Sequence, residues 1–194
     1  MKGVYIFLAD GFEDVEALGT NDVLRRAGIK SELINVGDEP FVTSSHGIMV
    51  GADFGLNFMN IKHEETTEKD ILIFPGGMPG SKTLAANKAL IKLMQDHYDA
   101  GGSVAAICAA PGTVLSQLRG IAGATVTCFD GFEGALEAAG AKFEPRPAIR
   151  SGRIITGRSA GHALAFALEI VKFLRPEKAA EVSHALYLDT WKSA

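Results

Sequence analysis

The clearest chemical signal in this chain is a cysteine at the end of an apolar run. Cys108 follows Val104-Ala105-Ala106-Ile107 and precedes Ala109-Ala110-Pro111-Gly112, after which the pattern turns helical. An abrupt strand-to-helix turn lifts its central side chain above the sheet and closes only between small neighbours, which here are alanines. The N–H groups and positive dipole end of the following helix are expected to lower the thiol pKa toward thiolate. Free cysteine is often just a small buried hydrophobe, but the Ala-Ala-Pro sequel favours a nucleophile.

Two other strand ends could serve that nucleophile. After Ile71–Phe74 comes Pro75-Gly76-Gly77-Met78-Pro79-Gly80. Adjacent glycines let backbone approach a ligand closely, and an N–H from this loop with that of Ala109 would form an oxyanion hole. After Val4–Leu8 comes Asp10-Gly11-Phe12-Glu13-Asp14-Val15-Glu16, and helical spacing puts Thr20, Val23 and Ala27 on nearly the same inward face as Glu16. A carboxyl at the top of such a stripe should have a raised pKa, and when protonated it can donate a hydrogen bond to a thiolate. Glu13 and Asp14 have a plainer explanation as acids favoured in a helix's first turn, one that Glu16 could share.

The histidines, at positions 46, 63, 97, 162 and 184, show no H-x-x-x-H or H-x-x-C spacing, so no metal site is expected. His97 and His184 read as surface helix residues. His162, after Gly157-Arg158-Ser159-Ala160-Gly161, begins a helix, where it either caps or faces a cleft. Neither G-x-G-x-x-G nor G-x-x-x-x-G-K spacing occurs at the glycine loop, and no cofactor is expected.

These residues need a frame to hold them. Strands are predicted at Val4–Leu8, 32–36, Ile71–Phe74, 104–107 and 124–127, with little polar alternation, as in buried parallel strands. Helical patterns at 13–27, 81–100, 109–118 and 132–139 alternate with them, several ending at a glycine. Two stretches break the βαβ rhythm, 40–54 and 145–156, the latter with a two-residue hairpin turn at Ser151-Gly152. Helices over 161–174 and, after Pro176, as far as Leu188 close the chain. The fold class is α/β, a mostly parallel sheet with helices on both faces, which binds ligands at the carboxyl ends of its strands near a switch point.

At 194 residues, nearly half of them apolar, the chain is expected to form one domain over 1–194. A net charge of −4 offers no basic surface for nucleic acid. The apolar run at Val4–Leu8 meets Asp10 and Gly11 without a small-residue cleavage site and is read as a first strand. No apolar stretch approaches the roughly 20 residues of a spanning helix, so no membrane partner is expected. With two cysteines, 108 and 128, a cytoplasmic setting fits.

Four motifs together resemble the ThiJ/PfpI superfamily, in its branch of Parkinson disease-associated DJ-one proteins and their bacterial relatives. They are Gly11-Phe12-Glu13-Asp14-Val15-Glu16-Ala17, Leu24-Arg25-Arg26-Ala27-Gly28-Ile29, Pro75-Gly76-Gly77 and, most specific, Ala105-Ala106-Ile107-Cys108-Ala109-Ala110-Pro111. Thr156-Gly157-Arg158-Ser159-Ala160-Gly161, with Phe166-Ala167-Leu168-Glu169-Ile170-Val171, extends the likeness almost end to end. The resemblance implies a flavodoxin-like three-layer α/β/α sandwich, a homodimer, a reactive Cys108 hydrogen-bonded to protonated Glu16, and an oxyanion pocket lined by Gly77 and Ala109, with Gly76 beside them. It implies glutathione-independent conversion of methylglyoxal to lactate, deglycation of proteins, or a redox-responsive stress or chaperone role.

The chain departs from that pattern in places. Where some relatives carry a histidine beside the cysteine, Thr127-Cys128-Phe129-Asp130 puts Phe129. His46 falls where relatives carry an arginine at the dimer-facing edge. Ser159 and His162 are further pocket candidates. Ala109 follows the cysteine directly, and neither His162 nor His184 has Glu two positions on, which disfavours proteolysis and amidotransfer. An enzyme acting on small α-oxoaldehydes is the leading reading, and a sensor that oxidises Cys108 is the alternative.

Overall fold

A computed structural model describes residues 2–59 and 65–189. His63 lies outside them. The strands are β1 (Val4–Leu8), β2 (Ser31–Asn35), β3 (Phe41–Thr43), β4 (Met49–Gly51), β5 (Phe54–Gly55), β6 (Ile71–Phe74), β7 (Ser103–Ile107), β8 (Thr125–Val126), β9 (Lys142–Phe143), β10 (Ala148–Ser151) and β11 (Ile154–Gly157). The helices are α1 (Thr20–Arg26), α2 (Gly80–Ala86), α3 (Lys88–Asp99), α4 (Ala110–Thr113), α5 (Glu133–Ala138), α6 (Ala163–Leu174) and α7 (Ala179–Ala185).

One sheet runs in the order β10-β11-β7-β6-β1-β2-β5, parallel except where β10 pairs with β11. Omitting β10 and β5, successive parallel strands take the flavodoxin order, with the switch point between β1 and β6. Period-two alternation divides the strand side chains between two cores. Ile6, Leu8, Ile71, Ile73, Ala105, Ile107 and Ile155 face Val23, Leu24, Phe166, Ile170 and Val171 of α1 and α6. Phe7, Leu72, Phe74, Val104 and Ala106 face Leu84, Leu90, Met94 and Val114 on the opposite side. Burial on both faces is why these strands read as unbroken apolar runs. It also makes each large side chain costly to remove: truncating fully buried Phe166 to alanine should cost about 3–5 kcal/mol.

Several sequence expectations change here. Residues 124–127 do not join the main sheet. Thr125 N–H donates to Ser151 Oγ at 3.2 Å and Thr127 N–H to Thr156 Oγ1 at 2.9 Å, so hydroxyls replace a carbonyl ladder. β8 pairs with β9 instead, and β11 takes the place beside β7. The pattern over 81–100 is two helices: Asn87 leaves the helical region at ψ 97° and its side chain accepts from Leu90 N–H, capping α3. The hairpin turn is Gly152-Arg153, because Ser151 pairs with Ile154 and Gly152 supplies the positive φ of 61°. The last helix stops at Ala185. His97 is fully buried, its Nε2 3.1 Å from the Asp70 carbonyl, because it continues the Leu90, Leu93, Met94 stripe of α3. His184 does lie at the surface, paired with Asp189 at 3.0 Å.

Candidate active site

Cys108 has a φ of +65°, one of two non-glycine residues in the left-handed region among those described. That conformation costs an L-residue roughly 1–2 kcal/mol and persists only where surroundings impose it. The constraints are visible. Cys108 N–H donates to the Gly157 carbonyl of β11 at 3.0 Å, and its own carbonyl accepts from Phe129 N–H at 2.8 Å. Thr113 and Val114 then close the next turn onto the carbonyls of Ala109 and Ala110. Cys108 is thus a strand-end residue bent sharply, with its thiol partly accessible.

Glu16 reaches the same point from the end of β1. It sits in a wide π-type turn, Val15–Gly19, that runs into α1. Glu16, Thr20, Val23 and Ala27 are all buried, as the inward stripe anticipates. Glu13 Oε2 accepts Glu16 N–H at 2.8 Å, fixing the first turn. Glu16 Oε2 accepts the N–H of Gly76 at 2.8 Å, while Oε1 is buried without a hydrogen-bond partner of regular geometry.

Gly76 separates the acid from the thiol. A Cβ there would stand 2.7 Å from both Cys108 Cβ and Glu16 Oε2. Its N–H is committed to Glu16, so donors for a reacting oxygen are left to its neighbours. The N–H groups of Gly77 and Ala109 act as hydrogen-bond donors toward the Cys108 sulfur. Gly77 has a φ of +89°, and a Cβ on it would meet Glu13 N at 2.4 Å. Two consecutive glycines here answer to two different contacts.

The electrostatics overturn the expected low thiol pKa. Burial pushes the Cys108 thiol up to about 12, helped by the charge and hydrogen bond of Glu16 and opposed by the Ala109 and Gly77 N–H groups. α4 spans only Ala110–Thr113, too short for its dipole to outweigh burial. Burial likewise raises Glu16 to about 7, against the lowering effect of Cys108 and Gly76. Two acids in contact lose their protons in two macroscopic steps that belong to the pair, and the first comes near neutrality. With Glu16 protonated, its charge no longer opposes ionisation of the Cys108 thiol.

The other candidates stand around this centre. Phe129 is next to Cys108 through the backbone bond and is 46% exposed. Ser159 and His162 follow β11 at the same sheet end and bond to each other, Oγ to Nδ1, at 3.0 Å. His162 occupies the cap position of α6 without a side-chain capping bond. His46, on the turn between β3 and β4, lies 2.6 Å from Asp14 Oδ2, and the hydrogen bond and charge of Asp14 raise its pKa. Sequence reasoning missed that pairing because the partners are far apart in the chain. Glu13, Asp14 and His46 bring three ligand-type atoms within 4.8 Å of one another, so spacing alone undervalued this cluster, though two of them are already bonded together. Cys128 is buried, and burial raises its thiol to about 12. A cavity of about 870 Å³ opens elsewhere, lined by Ala9, Asp10, Asn35, Phe41 and Asn87, and contains none of these centres.

A profile of the DJ-1/PfpI family matches residues 2–173. The chain belongs to the DJ-1/PfpI family. Glutathione-independent glyoxalase DJR-1.2 of Caenorhabditis elegans is 34% identical over 167 residues, covering 86% of this chain and 85% of that protein. Protein DJ-1 homolog B of Arabidopsis thaliana is 34% identical over 190 residues, but these span 96% of this chain and only 42% of that longer protein. The crystal structure of Drosophila melanogaster DJ-1beta superposes with a TM-score of 0.85 at 30% identity, covering 95% of this chain and 97% of that one. Among the described residues no helix is long and apolar enough to cross a membrane.

Proposed function

We propose that the chain is a cysteine-dependent enzyme acting on small α-oxoaldehydes such as methylglyoxal, of glutathione-independent glyoxalase or deglycase type. The observation that carries this reading is Cys108 held in a strained conformation beside the buried Glu16 carboxyl, whose pKa burial raises to about 7. The Cys108 thiolate attacks the aldehyde carbon, giving a hemithioacetal whose oxygen is held by the Gly77 and Ala109 N–H groups. Glu16 gives its own proton to that oxygen, and the carboxylate so formed takes the proton from the same carbon and returns it to the neighbouring carbonyl carbon through an enediol. The first carbon is oxidised and the second reduced, which leaves a 2-hydroxyacyl thioester. Water cleaves it, releasing the 2-hydroxy acid and regenerating the thiol. No external oxidant or reductant enters.

The reading extends to a single domain working as a homodimer, supported by exposed Val15, Ile48 and Met49 on the segments flanking the pocket. Two free cysteines suit a reducing compartment such as the cytoplasm. The test is lactate formation from methylglyoxal without glutathione: wild type forms it and Cys108→Ser does not, and equal turnover by both would refute the mechanism.

A second reading is favoured by the same donors. A sulfinate formed at Cys108 by two equivalents of peroxide would place its oxygens against the Gly77 and Ala109 N–H groups and a protonated Glu16, making oxidation itself the output. Mild peroxide should then add two oxygens to Cys108 selectively, and Glu16→Leu should abolish that product.

A further inference from the structure

We infer that Phe129 selects the substituent of the substrate, favouring α-oxoaldehydes with an aryl or bulky apolar group over methylglyoxal; this rests on the enzyme reading above. Phe129 stands beside the reactive residue, because its N–H donates to the Cys108 carbonyl at 2.8 Å. Its ring is nonetheless 46% exposed, whereas Cys128 immediately before it is fully buried. Leaving a phenylalanine half in water next to a reaction centre gives up apolar burial that a ligand can recover.

The ring is held in place rather than loose. Phe132 N–H donates to the Phe129 carbonyl at 3.2 Å, and the two rings meet edge-to-face, with centroids 6.5 Å apart at 64°. Between them Asp130 is bound to Arg158 at 2.5 Å, tying this turn to the end of β11. On the glycine loop, Met78 directly follows Gly77 and is 42% exposed. Two exposed apolar side chains therefore stand on the backbone segments joined to Cys108 and to its Gly77 donor. No group at Phe129 can exchange a proton, so proton transfer rests with Glu16 and the ring is free to act in binding.

The substituent of a hemithioacetal on Cys108 lies one bond from the reacting carbons, within reach of residues flanking the thiol. An aryl group there would stack on or against Phe129, while a methyl group is too small to cover it. Steady-state kinetics on phenylglyoxal and methylglyoxal test this with wild type, Phe129→Leu and Phe129→Ala. The ratio of kcat/KM for phenylglyoxal over that for methylglyoxal should fall about tenfold in Phe129→Ala, mainly through KM, with Phe129→Leu between. A ratio that stays within about twofold in both variants, or a Phe129→Ala effect confined to oligomeric state, would overturn the assignment. Absence of turnover of either compound by wild type would instead remove the enzyme reading on which it rests.

Discussion

Glu16 Oε2 accepts the Gly76 N–H at 2.8 Å, and the Cα of that same glycine keeps the carboxylate and Cys108 Cβ at a separation no larger residue would permit. The contact between acid and thiol thus depends on a position that carries no side chain.

Gly76→Ala places a methyl group 2.7 Å from both partners, so one must move. Overpacking of this kind costs about 1–3 kcal/mol, which a fold with two large cores should survive. Turnover of methylglyoxal should fall more than about tenfold while the protein still unfolds cooperatively, a combination read from kinetics and a urea titration.

Cys108 makes a prediction about stability rather than activity. At φ +65° a Cβ is a liability, so Cys108→Gly should be more stable than Cys108→Ala by about 1 kcal/mol. That reverses the order expected within a regular strand or helix. Urea unfolding of the two variants decides it, and alanine proving the more stable would mean the left-handed backbone is not imposed.

Two buried groups pull stability in opposite directions with pH. Glu16 is raised from 4.5 to about 7, so the folded state holds the extra proton and stability falls as pH rises through that window. His97 is lowered by burial from 6.5 to about 4, so the unfolded state holds the extra proton and stability falls as pH drops through that window. Each shift corresponds to about 3 kcal/mol, and the effects nearly cancel between about 4.5 and 6.5. Glu16→Gln should expose the His97 slope, with stability rising from pH 4.5 to 6.5. His97→Leu should expose the opposite slope. Urea unfolding across that range measures both, and parallel profiles for the two variants would contradict the assignment.

Much of the frame was legible in the sequence because burial dictates it. The strands at Val4–Leu8 and Ile71–Phe74 are found where the apolar runs place them, since both sheet faces are covered. The burial of Glu16 was readable from its helical stripe, though that spacing alone favoured a plain first-turn acid, and the sharp turn at Cys108 was readable from its small neighbours. The rest depends on partners that spacing does not show. Hydroxyls of Ser151 and Thr156 draw β8 out of the main ladder. Asn87 divides a continuous helical pattern by capping it from within. Asp14 finds His46 only because the Phe12–Ser44 bridge joins two loops. His97 could have been recognised as buried from the α3 stripe, where its polarity concealed its position. The thiol pKa was misjudged because a helix start was credited in full, when the helix is one turn long and the thiol is buried beside an acid.

The central claim is that Cys108 and Glu16 form one ionising unit whose first proton leaves near neutrality. The rate of Cys108 alkylation by iodoacetamide, followed from pH 5 to 10 in wild type and Glu16→Gln, tests it most directly. Wild type should show an inflection near 7, where Glu16 changes charge beside the thiol, and Glu16→Gln should show none there. A wild-type rate that climbs only in the range of an ordinary thiol, or the same profile in both proteins, would contradict it.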